Sequence, residues 1–230
     1  MEKPPLKGIS SMATRGVLAE LLAAWQAQSG QRVSMESVGG VDAARRVHAG
    51  EPMDLVVLAS DAIDKLAAAG SVVAGSRTDL VHSGVAVAVR QGQPHPDIST
   101  QQGVLDAVLS AASIGYSTGP SGTALMKLFE SWGIAADIAS RLVLAPAGVP
   151  VGALVAKGEV ELGFQQLSEL MHLPGIDVVG PLPPAIQITT TFSAGLCTAS
   201  TRADDVRVLI GFLASAPSAA AKRRHGMEAA

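Results

Sequence analysis

Four short stretches of this 230-residue chain bring together residue types that hold small anions. In the first, Ser10, Ser11 and Thr14 supply hydroxyls beside Arg15, where a strand-like run gives way to a helix-like one. A helix start offers free N–H groups and partial positive charge, which suit a carboxylate or an oxyanion. Arg15 stands there against the helix dipole, and a bound anion would compensate it. In the second, Gly39 and Gly40 make a tight turn whose backbone can approach a ligand closely. The third, Ser117-Thr118-Gly119-Pro120-Ser121-Gly122-Thr123, is the densest group of hydroxyls and glycines in the chain. It lies between a strand and a helix and can form an anion nest, but no GK[ST] follows, so it is not a nucleotide P-loop. In the fourth, the amides of Gln165 and Gln166 end a buried strand and need hydrogen-bond partners, which a ligand or the backbone can supply. The structural alternatives are simple: an N-cap with a solvated arginine, a plain tight turn, and core amides held by backbone.

The elements that must carry these turns follow a strand–turn–helix rhythm. "LKGISS" reads as a short strand. The helix after it has Val17, Leu18, Leu21, Leu22 and Trp25 at helical spacing and Gly30 as its stop. "RVSMES" alternates like a strand, and "GGVDAARRVHAG" reads as a turn and short helix. "MDLVVLA" is apolar throughout, as in a strand covered on both faces. "SDAIDKLAAAG" reads as a helix with Ser60 as N-cap and Gly70 at its stop. Three such units in succession predict a mainly parallel, right-handed α/β sheet. A second α/β set runs from a helix near Thr100 through "SIGYS", "GTALMKLFESWG", "RLVLA", "VGALVAKG" and "VELGFQ". The expected organisation is two lobes, residues 1–82 with 192–230 and residues 83–191. The extended runs around Ser83–Val89 and Gln187–Ser193 would be the crossings, with a ligand cleft between the lobes.

Composition narrows the function classes. With a net charge of -3, the chain has no global basic field, so nucleic acid is not an expected partner. No apolar run is long enough to span a bilayer. Lys222, Arg223 and Arg224 read as a frayed helix end whose cations suit the final helix's negative pole. Cys197 is the single cysteine and sits in an apolar run, so it reads as a core residue. The five histidines make no HxH or HExxH pattern, and neither a metal nor a cofactor is expected. The strand-like Leu6–Ser11 begins almost at Met1, with no charged, apolar and small-residue leader before it. That sets the expectation of a cytoplasmic protein. A signal upstream would make it an exported protein serving an ABC transporter permease.

Three stretches carry a family resemblance: "AARRVHAGEPMDLVVLASDAIDKL", "GPSGTALMKLFESWG" and "VPVGALVAKGEVELGF". With the turns in this order, the chain resembles the molybdate-binding type of solute-binding protein over nearly its whole length. The resemblance implies the two-lobed type II periplasmic-binding-protein fold and a small anionic ligand. It places Ser11 and Pro150 at ligand-contacting positions. It also shows departures: Gly40 stands where the family usually has serine, Gln166 where it has tyrosine, Ser121 where it has alanine, and Pro150 where valine is common. Those departures and Arg15 point to a larger anion than molybdate, with more than one carboxylate.

An aconitate-isomerase-like branch of this resemblance shifts a proton across an unsaturated tricarboxylate. That chemistry needs a base near an acidic C–H and donors for the developing enolate-like charge. Arg15 and the turn amides can be the donors. Tyr116, at a strand end beside the third turn, and His82, at the first lobe crossing, are the candidate catalytic side chains; Asp61 follows another strand end and reads as structural. The two functional expectations are a cofactor-free isomerase of a polycarboxylate, and a binding or sensing protein for an oxyanion or carboxylate with no turnover.

Overall fold

The computed structural model describes residues 4–230. In chain order the elements are β1 (Leu6–Ser11), α1 (Arg15–Ser29), β2 (Val33–Val38), α2 (Gly40–His48), β3 (Leu55–Ala59), α3 (Ser60–Ala68), β4 (Thr78–Arg90), α4 (Gln101–Ser110), β5 (Ile114–Tyr116), α5 (Pro120–Ser131) and α6 (Ala135–Ile138). They continue with β6 (Leu142–Leu144), α7 (Val151–Lys157), β7 (Leu162–Gln166), α8 (Leu167–Leu170), β8 (Ile176–Pro181), β9 (Thr189–Leu196), α9 (Ala203–Ala214), α10 (Ala219–Arg224) and β10 (Met227–Ala229). The chain divides into two compact units. Unit one is the chain up to His82 together with Thr191–Ala230; unit two is Ser83–Thr190.

Unit one is built on β1, which pairs in parallel with β2 on one side and β3 on the other. Strand β9 completes that sheet antiparallel to β3. Leu55–Ala59 is buried at every position because helices lie against both faces, so its side chains divide between two separate apolar clusters. Helix α1 buries Val17, Leu18, Leu21, Leu22 and Trp25 along one stripe and ends where Gly30 takes φ 71°. Each such side chain contributes about 1.5–3 kcal/mol by leaving water. Trp25 meets Phe212 of α9 with ring centroids 5.2 Å apart.

Unit two repeats the plan. Strand β5 pairs in parallel with β6 and β7. Strand β4 lies antiparallel to β7, and β8 adds to β4 with a register shift between Val87 and Ala88. Phe129 of α5 is fully buried and packs edge-on to Phe164 of β7.

Two expectations need correction. Ser60 is the first residue of α3 rather than its cap; Ala59 holds the cap position and no side chain caps the helix. The basic tail is not a frayed end either. It forms α10 and then β10, which pairs with β4, and both Lys222 and Met227 are buried. The α10 end is tied to α1, where Glu20 receives hydrogen bonds from Arg224 and His225. Those hydrogen bonds, Arg224's first, hold the Glu20 carboxyl below its ordinary range.

Candidate functional site

In unit one the parallel register of β1 and β2 brings the first two turns side by side. Ser10 pairs with Ser37 across the strands, and their hydroxyls are 2.9 Å apart. Ser10 is completely covered, so its hydroxyl belongs to that pair. Ser11 is the half-exposed neighbour. Its hydroxyl accepts from the Ala13 N–H at 3.3 Å, and a short 3-10 turn, Met12–Thr14, follows. Thr14 is buried and donates to the Ser11 carbonyl rather than capping α1. Arg15 is the first residue of α1. It is exposed, and no ion-pair partner meets it among the described residues. Gly39 precedes α2 and Gly40 opens it. A Cβ on Gly40 would lie 3.9 Å from the Ser11 Oγ, an ordinary contact. A serine there, as in the resembling family, would set a second side-chain oxygen beside Ser11.

In unit two, β5 ends at Tyr116 and the Ser117–Gly119 turn delivers the chain into α5, with Pro120 in the first helical position. Ser117 and Ser121 hydroxyls are 3.3 Å apart. Gly122 lets the helix rest on the turn: a Cβ would fall 1.8 Å from the Ser117 carbonyl oxygen. Thr118 is exposed, while Ser121 and Gly122 are buried. A pocket of about 430 Å³ opens beside the turn, walled by Tyr116, Ser117, Thr118, Met126, Lys127 and Leu144 among others.

The end of β7 lies in the same unit. Gln165 accepts from the Val151 N–H at 2.7 Å and donates to Glu169 at 2.9 Å, so both ends of its amide are engaged. That bond ties Gln165 to the start of α7, just after Pro150. Gln166 donates to Thr190 Oγ1 at 2.8 Å, but its Oε1 is buried with no partner among the described residues. A hydroxyl donates as readily as it accepts. The Gln166 amide can therefore turn over, let Thr190 donate to its oxygen, and present its NH2 to an anion.

His82 is half-buried, with Nδ1 3.0 Å from Thr191 Oγ1. The Ser83 hydroxyl next to it is buried and has no partner among the described residues. Asp61, the remaining sequence candidate, forms an exposed ion pair with Lys65 at 3.5 Å. The structure thus brings Ser11 and Gly40 together in unit one, and joins Gln165 to Val151, the residue after Pro150, in unit two. Among the described residues no group of three or more His, Cys, Asp or Glu side chains is placed to hold a metal ion. Cys197 is buried, and burial pushes its thiol up to about 12, so it carries no thiolate near neutral pH.

Sequence reasoning missed two titratable groups, the half-buried Glu169 and the buried Lys222. Burial pushes the Glu169 carboxyl up to about 7, against a smaller opposing effect of the Gln165 hydrogen bond. Lys222 is 1% exposed with no hydrogen-bond partner among the described residues, and desolvation lowers its pKa. The only sequence signal for Glu169 is its place four residues after Gln165, just past a polar strand end. Nothing local marks Lys222.

Two mainly parallel sheets flanked by helices, with polar turns at the strand ends, define a periplasmic-binding-protein fold. The chain belongs to the family of bacterial extracellular solute-binding proteins, whose sequence profile it matches over residues 6–228. It is 37% identical over 226 residues to the aconitate isomerase of a Pseudomonas species, covering 96% of this chain and 86% of that protein. Among solved structures it resembles the periplasmic molybdate-binding protein of Azotobacter vinelandii, with a TM-score of 0.80 and 20% identity over 96% of this chain and 98% of that one. It also resembles the tungstate ABC transporter protein of Geobacter sulfurreducens, with a TM-score of 0.76 and 15% identity over 94% and 97% of the two chains. At those identities the likeness is one of fold. The Pseudomonas relative supports an isomerase, whereas the structural neighbours are binding proteins.

Proposed function

We propose that the protein binds a small unsaturated di- or tricarboxylate and isomerises it by a proton shift without a cofactor. The observation that carries this reading is the 37% identity, over 96% of the chain, to an aconitate isomerase. The polar turns support it. Arg15 is a cation at a helix start without an ion-pair partner among the described residues, as a carboxylate site requires. Ser11, Ser117, Thr118 and the Gln166 amide add neutral donors, and Gly39, Gly40, Gly122 and Pro150 shape the turns that present them.

The reaction moves one proton. A base takes it from the methylene carbon that lies between a carboxylate and the double bond. The C–H electrons form the new double bond, and the old π pair moves toward the far carbon. Negative charge is shared with the adjoining carboxylate, where cations and N–H donors lower the barrier. Protonation of the far carbon completes the shift with no net gain or loss of atoms. Tyr116 and His82 are the candidate acid–base side chains. Thr191 orients His82 through Nδ1 and leaves Nε2 for proton transfer.

A second reading, a binding protein for an oxyanion such as molybdate or for a carboxylate, follows from the fold neighbours; its partner would be an ABC transporter permease. Proton NMR of the protein with cis- and trans-aconitate in deuterated buffer separates the two. Interconversion with deuterium uptake is the expected result. Line broadening without turnover favours the binding protein, and the absence of any effect refutes carboxylate recognition.

A further inference from the structure

Glu169 is chemically out of place. It is a half-buried carboxyl on a short helix, with an uncharged amide as its hydrogen-bond partner. The elements packed on α8 are β7, α7 and β8. Strand β7 has no titratable side chain, α7 carries Lys157, β8 carries Asp177, and His172 follows α8 in the chain. None of these contributes to the Glu169 shift, which comes from burial and is opposed by Gln165. Asp177 is engaged by the Gly92 N–H and lies beside His95. A glutamine at 169 would accept from Gln165 equally well, so what the carboxyl adds is a proton that can come and go.

The hydrogen-bond chain gives that proton a destination. Glu169 fixes the Gln165 NH2, and this turns the Gln165 oxygen onto the Val151 N–H. The Val151 N–H, which follows Val149 and Pro150 in the turn, is thereby held by an amide whose other hydrogen-bond partner is a carboxyl. The two hydrogen bonds and the amide between them put the carboxyl within roughly 8 Å of the Val151 nitrogen, a range over which charges inside a protein interact appreciably.

We propose that Glu169 is a proton-coupled positioning residue: through Gln165 it sets the Val149–Val151 turn, and it takes up a proton when an anionic ligand binds at the strand ends of unit two. This rests on the carboxylate-binding reading above. An ionised Glu169 repels an incoming anion, so binding and protonation favour each other by linkage.

The test uses calorimetry of the whole protein with trans-aconitate, and with molybdate as an inorganic probe, in buffers of different protonation enthalpy. Wild type is compared with Glu169→Gln, so that ionisation of the ligand itself cancels in the difference. Near pH 7.5 the proton uptake of wild type is expected to exceed that of Glu169→Gln by about half a proton or more. Wild-type affinity is expected to weaken about tenfold between pH 6 and pH 8.5, while Glu169→Gln stays near the tighter value throughout. Glu169→Ala, which leaves the Gln165 NH2 without its acceptor, is expected to weaken binding at every pH, with Glu169→Gln restoring it. Equal proton uptake and equal pH slopes in wild type and Glu169→Gln overturn the coupling alone. Equal affinity of Glu169→Ala and Glu169→Gln overturns the positioning. If neither probe binds wild type, the carboxylate-binding reading fails and the coupling with it, an outcome distinct from binding without proton uptake.

Discussion

Replacing Gly122 by alanine sets two opposed effects against each other. In an exposed helix the change stabilises by about 1 kcal/mol, because glycine has more backbone freedom to lose. At Gly122 the new Cβ would lie 1.8 Å from the Ser117 carbonyl oxygen and 2.8 Å from its carbon. Both obstacles are backbone, so no rotamer change relieves them. Restoring an ordinary contact requires α5 and the turn to separate by about 1.5 Å. Overpacking of this kind costs about 1–3 kcal/mol or somewhat more, so the net loss should be about 2 kcal/mol. For a chain of this size that lowers the melting temperature by roughly 4–8 °C. If the units melt separately, the loss falls on the unit-two transition. Gly211 is the internal control: it lies in α9 with nothing within 4 Å of its hypothetical Cβ. Gly211→Ala should raise the melting temperature by about 2–4 °C. Ligand affinity should separate the two substitutions further. Displacement of the binding turn by Gly122→Ala should weaken ligand binding, whereas Gly211→Ala should leave binding unchanged. Calorimetric melting with ligand titration reads both effects. If Gly122→Ala melts at or above the wild-type temperature, the steric reasoning is refuted.

Three other perturbations are informative. Lys222→Met removes a buried amine that has no partner among the described residues and should stabilise the protein on the order of 2 kcal/mol near pH 7. Because the folded-state pKa is lowered, wild-type stability falls as pH drops below the unfolded lysine value of about 10.4. The gain should therefore shrink toward zero above about pH 10.5, and denaturant melts showing a pH-independent gain would contradict this. Arg15→Ala should change stability by less than about 0.5 kcal/mol, since the side chain is exposed, while weakening carboxylate binding by about 10–100-fold; unchanged affinity in titration calorimetry removes Arg15 from the site. Gly40→Ser should fold normally, because its Cβ meets only ordinary contacts, and should improve molybdate binding relative to aconitate by placing a second hydroxyl near Ser11. A ratio of affinities that does not move would count against that turn's role.

Local chemistry made most of the framework readable. The unbroken apolar run Leu55–Ala59 could only be a strand covered on both faces, and the α1 stripe ended at a glycine as its spacing required. The chain tail was misread because its partners are remote. Nothing within "AAAKRRHGMEAA" announces that Ala230 bonds to Leu80 or that Lys222 is enclosed. The site divides the same way. Hydroxyl-rich turns are visible as composition, but which serine stays accessible depends on strand pairing, and Ser10 is turned onto Ser37. Glu169 escaped notice because its character comes from burial, which depends on segments brought together only by folding.

Unit two is an insertion within unit one, and this orders the protein's birth. The part of strand β9 that pairs with β3, Phe192 to Leu196, is not made until the whole of the second unit has been translated. As the chain leaves the ribosome, β1 to β3 must therefore wait with an open sheet edge while Ser83–Thr190 assembles from contacts already at hand. Truncation from the C-terminus removes β10, α10 and α9 before it reaches β9, and so dismantles the unit that began first. A stalled ribosome or a nonsense mutation late in the gene should leave unit two as the surviving folded piece, and unit one as the source of exposed strand edge.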